Sequence, residues 1–151
     1  PHQFRRIQRC SNIEMLVLEV LYFSRNTMDE LRKQLGITPI KLLRVFNLKE
    51  FDECARTVLS DLIRANAIQK VELTFKKYKN EAHNFIIEAI SHVQSIKITD
   101  DDDDSPFFGR PREFWEEFVQ NLNDNYPVQA QYNEKDGITN TERTHIFVKV
   151  L

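Results

Sequence analysis

The 151-residue chain has little glycine and little cysteine: three of the first and two of the second. Gly36, Gly109 and Gly137 are isolated, so no glycine-rich loop is available to wrap a phosphate. Cys10 and Cys54 lie far apart, with no C-x-x-C pair and no zinc-finger spacing. That excludes a disulfide scaffold and fits a reducing compartment. No apolar run reaches the ~18 residues that a membrane-spanning helix needs. The longest, Met15 to Phe23, is broken by Glu19. Net charge is −2, so no global pull toward nucleic acid or an anionic membrane is expected. Residues 1–6 are polar and basic and do not form a signal peptide, which points to the cytoplasm or nucleus. With no initiator Met, the sequence is expected to be the C-terminal part of a longer chain.

Chemical motifs are missing too. There is no G-x-S-x-G, no H-E-x-x-H and no paired Cys and His cluster. His83 and His92 do not have the i, i+4 spacing of a metal pair, and both read as surface or element-end residues. Asp100 to Asp104 are consecutive, without the alternating ligands, glycine turn and closing Glu of a calcium loop. The run reads as a solvated loop. His145 beside Thr144 reads as structural. Cys54, on an apolar helix face next to Phe51 and Val58, reads as an inert thiol. No catalytic residue, cofactor or metal site is therefore expected.

What is present is an ordinary globular composition, 41% hydrophobic and 29% charged, with 11 Phe. It is organised by a repeat. Ile13-x-x-Leu16-x-Leu18, Ile40-x-x-Leu43-x-Val45, Ile68-x-x-Val71-x-Leu73 and Val93-x-x-Ile96-x-Ile98 share one pattern. Their first positions step by 27, 28 and 25 residues. An alternating strand recurring at this interval, with room for a helix between, is the leucine-rich-repeat layout. The ninth position departs from it. Leu21, Leu48, Lys76 and Asp101 stand where Asn or Cys is usual.

Thr27 with Glu30 predicts a capping box for a helix over Met28 to Leu35, stopped at Gly36. Phe51, Ala55, Val58, Leu59, Leu62 and Ile63 predict an amphipathic helix from Glu50 to Ala65, stopped at Asn66. Ala82, Phe85, Ile86, Ala89 and Ile90 predict a third over Asn80 to His92. A fourth begins at Pro111, with Phe114, Trp115, Phe118 and Leu122 inward. Residues 4–10 suggest a short basic amphipathic helix. Val128, Ala130 and Tyr132 alternate, as do Thr144, Ile146, Val148 and Val150, giving two terminal strands. They either extend the sheet in a parallel sense or pair as a hairpin, and the short loop favours the hairpin.

The fold expected is α/β: one irregular leucine-rich-repeat-like βα solenoid over 1–151, a parallel sheet with helices on one side and a C-terminal pair of strands. Its open strand face would be a binding surface, with Met15, Val17, Leu42, Arg44, Phe46, Lys70, Glu72 and Lys97 as candidate partner contacts. An alternative is an RNA-associated regulator gripping phosphate through Arg44, Lys70, Lys76, Lys77 and Lys79, with Tyr78 for stacking.

The chain resembles the leucine-rich-repeat-like FTH, or F-box-associated, domain of nematode F-box proteins. The stretches that carry the likeness are Ile13–Phe23, Ile40–Leu48, Ile68–Phe75, Val93–Thr99 and Thr144–Leu151. The resemblance implies substrate or partner recognition for a ubiquitin ligase, without enzymatic activity. The F-box would precede residue 1, linked by residues 4–10. The family's binding residues do not transfer, because such domains vary most where they bind.

Overall fold

The computed structural model describes residues 12–102, 106–135 and 142–151. The alternation read from the sequence is present. The elements are β1 (Ile13–Glu19), α1 (Arg25–Leu35), β2 (Ile40–Glu50), α2 (Glu53–Ala65), β3 (Lys70–Lys77), α3 (Asn80–Ala89), β4 (Ser95–Asp100), α4 (Arg112–Asn125), β5 (Val128–Asn133) and β6 (His145–Val150). A 3-10 turn, Phe107–Gly109, precedes α4. The predicted helix over 4–10, Cys10, Asp103, Asp104 and Gly137 lie outside the described residues. Among the described residues no helix is long and apolar enough to cross a membrane.

The six strands form one open sheet in the order β1-β2-β3-β4-β6-β5. β1 to β4 are consecutive parallel neighbours, as the repeat requires. β6 runs antiparallel to both β4 and β5. The expectation of a parallel sheet is corrected to a mixed one. The chain between β5 and β6 is too short for a helical crossover, so the strands return as a hairpin.

The repeat pattern becomes two apolar rows. Leu16, Leu43, Val71, Ile96, Val148 and Ala130 are register neighbours across all six strands. Leu18, Val45, Leu73, Ile98, Ile146 and Tyr132 form the second row. All except the half-buried Tyr132 are at most 5% exposed. Side chains alternate along a strand, so the helices that bury these rows lie on one face. Burying each such side chain is worth about 1.5–3 kcal/mol. The first position of every unit, Ile13, Ile40, Ile68 and Val93, is also buried. Helix faces meet these rows through Leu31, Leu35, Leu59, Leu62, Phe85 and Leu122.

Several local signals resolve differently from their sequence reading. Thr27 is not the N-cap of α1. Ser24 is, and its Oγ accepts from the Thr27 N–H at 3.3 Å while the Thr27 hydroxyl oxygen accepts from the Ser24 N–H at 3.2 Å. Ser24 thus starts the helix one turn earlier. β2 continues to Glu50, and Asp52 caps α2 by accepting from the Ala55 N–H at 2.9 Å. α3 stops at Ala89, before His92. Asp100 is not part of a solvated run. It is buried at the end of β4 and accepts from the N–H groups of Asp102 (2.9 Å) and Phe108 (2.7 Å). Burial pushes its carboxyl above the usual aspartate range, against the opposing pull of those two donors.

The missing ninth-position ladder has a substitute one loop away. Asn66, at the end of α2, is buried, and its amide donates to the carbonyls of Gly36 (3.2 Å) and Thr38 (2.8 Å). Its own carbonyl accepts from the Ile40 N–H at 2.9 Å. One side chain therefore joins the end of the second helix to the loop that follows the first. The next residue, Ala67, has φ 47°, and the Ile68 N–H reaches the Ile63 carbonyl at 3.3 Å. This is a Schellman closure with Ala where Gly is usual.

Two stability measurements check this junction. Asn66→Ala removes both bonds of a buried side chain and should lower the unfolding free energy by about 1–2 kcal/mol in denaturant titration. Ala67→Gly relieves the left-handed strain and should raise it by roughly 1 kcal/mol.

Candidate partner-binding face

The sheet face away from the helices is open, and register decides which side chains meet there. Met15 is beside Leu42, and Leu42 is beside Lys70. One step along, Val17, Arg44, Glu72 and Lys97 are successive neighbours from β1 to β4. The next step brings Glu19 beside Phe46. All eight residues chosen from the sequence therefore share one face, in two adjoining rows plus Phe46.

The face is divided chemically. Toward β1 it is apolar: Met15 is 47% and Val17 40% exposed, with Leu42 and Phe46 half-buried beside them. Leu21 and Tyr22, in the turn after β1, are exposed as well. Toward β4 it is polar. Arg44 donates twice to one Glu72 oxygen, from Nη2 at 2.9 Å and Nε at 3.1 Å. The Lys97 ammonium lies 3.7 Å from Glu142. Arg44, Phe46, Glu72 and Lys97 floor a shallow depression of about 370 Å³, walled in part by Glu142 and Arg143 just before β6. A bulge in β2 shapes its edge. The β2–β3 register shifts between Val45 and Leu48, and Asn47, at φ 67°, donates to Glu19 at 2.6 Å. Asn tolerates that conformation better than most residues.

The other polar groups singled out in the sequence occupy structural positions. His145 is buried, with Nδ1 2.8 Å from the Arg143 carbonyl and Nε2 3.3 Å from the Asn133 amide nitrogen. The carbonyl fixes the proton on Nδ1 and leaves Nε2 to accept. Cys54 is half-buried, and burial, reinforced by Asp52, pushes its thiol up, away from thiolate chemistry. His83 stands edge-on to Phe118 at 5.2 Å, and burial lowers its pKa. Among the described residues no three His, Cys, Asp or Glu side chains converge as a metal site.

The basic stretch at 76–79 splits. Lys76 and Lys77 are exposed, and Lys79 lies 3.3 Å from Glu50. Tyr78 turns inward, edge-on to Trp115 at 5.1 Å and beneath the Arg110 guanidinium at 5.4 Å. Burial pushes its phenol well above the usual tyrosine range. Its ring belongs to an aromatic cluster in which the Trp115 indole N–H donates to the Phe107 carbonyl at 2.9 Å. Asn66 ends α2 as the sequence predicts, but sequence reasoning missed the bonds of its side chain, the capping role of Asp100, and Asn123, whose carboxamide bonds both backbone groups of Ala130. Only the positions of Asn66 and Asp100 at element ends hinted at their roles.

The two faces of β1 should differ sharply on substitution. Val17→Thr removes little buried surface and should change unfolding free energy by less than about 1 kcal/mol. Leu16→Ala, on the packed face, should cost about 2–5 kcal/mol by the same denaturant titration. No protein-family profile matches the chain, and no curated protein matches it.

Proposed function

We propose that this domain is a non-enzymatic recognition module that holds a protein partner on the open face of its sheet. One observation carries the reading. Met15 and Val17 stand in the open, with half-buried Leu42 beside Met15 and half-buried Phe46 two residues past Arg44, on a sheet whose opposite face is packed by the helices. An apolar patch fixed by strand register, with Met15 beside Leu42 and Val17 one step on beside Arg44, offers a partner contact area at little ordering cost. The Arg44–Glu72 pair and Lys97 beside it supply polar selectivity next to that patch. In this reading the βα units form a leucine-rich-repeat-like array, and the F-box-associated likeness supplies the setting: substrate recognition for a ubiquitin ligase. An RNA reading draws less support. Arg44 and Lys79 are already engaged by Glu72 and Glu50, and Tyr78 is turned inward.

Affinity capture with the intact chain and with a Leu42→Ala/Phe46→Ala variant tests the proposal. Capture of the partner should fall at least about tenfold, equivalent to ~1.4 kcal/mol or more. Circular dichroism should remain that of the folded chain. Undiminished capture by the variant rejects the face. Binding that collapses steeply with salt instead assigns the contact to phosphates.

A further inference from the structure

The two edges of the sheet are treated differently. At β5 the outward backbone is covered: the Ala130 N–H donates to Asn123 Oδ1 at 2.7 Å, and the Ala130 carbonyl accepts from Asn123 Nδ2 at 3.1 Å. The carboxamide on α4 makes the pair of bonds that a further strand would make. At β1 no strand lies on the outer side among the described residues. Its sequence, Ile-Glu-Met-Leu-Val-Leu-Glu, holds no Lys or Pro, the usual guards of an edge. Both of its acids are drawn toward β2: Glu14 to Lys41 at 3.0 Å and Glu19 to Asn47 at 2.6 Å.

We propose that β1 is a self-association edge, at which two copies of the chain pair their β1 strands antiparallel about Leu16. The strand suits itself in that register. Met15 falls opposite Val17 of the other copy, twice, on the open face. Glu14 falls opposite Leu18, and Glu19 opposite Ile13, so no acid meets an acid. A slip by one residue would set the packed face of one copy against the open face of the other, which the alternation forbids. The pairing joins the two exposed apolar ends into one strip and satisfies the backbone groups of both edges. It goes beyond the recognition reading, because it rests on the backbone edge of β1 and leaves Leu42 and Phe46 of the face uncovered.

Sedimentation of the 151-residue chain over a wide concentration series tests it. The chain should dimerise. Val17→Lys should weaken that dimer by roughly tenfold or more, because it places a charge against Met15 at two symmetric points. Leu42→Lys, one strand in on the same face, should leave the dimer in place. Amide exchange at β1 should slow as concentration rises, a readout that stands even where a variant fails to fold. A chain that stays monomeric overturns the proposal. A dimer indifferent to Val17→Lys, or one lost equally with Leu42→Lys, also overturns it. Partner capture in the previous experiment is read through Leu42 and Phe46, which β1 pairing does not cover, so the two readings fail separately.

Discussion

Strand register is the constraint on which everything else in this molecule rests. Leu43 and Val45 can be dry only if Leu16 and Leu18 stand on one side of them and Val71 and Leu73 on the other. A slip of one residue anywhere would turn a buried leucine to solvent and a surface charge inward. The junctions enforce the register. Asn66 holds the loop before β2, and Asp100 holds the chain leaving β4. Each satisfies backbone groups that a turn beside a packed core would otherwise strand. Salt links between α2 and α3, from Arg56 to Glu81 and Glu88, tie the outer layer across the same units.

The same register creates the open face. A strand that commits one side to helices must show the other, and the neighbours on that side are dictated by the pairing that built the core. The division into an apolar end and a charged end is thus a property of the units in sequence: β1 and β2 bring Met15, Val17, Leu42 and Phe46, and β3 and β4 bring Lys70, Glu72 and Lys97. Only part of that charge is available to a visitor. Arg44 and Glu72 already neutralise each other across two strands, which keeps the centre of the face near neutral. An exposed pair of this kind is worth well under a hydrophobic anchor.

Much of this was legible in the sequence because it is periodic. The recurrence of Ile40-x-x-Leu43-x-Val45 gave the parallel neighbours, and the parity of Leu42, Arg44 and Phe46 followed. What escaped reading depends on distance in three dimensions. The short connection already favoured a hairpin, but that β6 rather than β5 would lie against β4 depends on which strand edge was vacant, which has no sequence pattern. Asp100 looked like the head of an acidic run, yet its carboxylate serves the Phe108 N–H eight residues on. Thr27-x-x-Glu30 fits the capping-box pattern, yet the helix is capped by a reciprocal Ser24–Thr27 pair that the pattern does not describe. Tyr78 sits among lysines in sequence and among aromatic rings in space.

β6 has one more effect, on how such a sheet can change in length. A one-way series of strand–helix modules carries no internal stop, since each module offers the next the same ladder it received. β6 lies beside β4 but points the other way, its far side is taken by β5, and the Asn123 carboxamide occupies the outer backbone of β5 at Ala130. Duplication of a module is therefore accommodated upstream, where the strands still run in one direction, and is barred beyond β4 unless the hairpin is displaced. The hairpin, with Asn123 against its outer strand, occupies the edge that a further module would need.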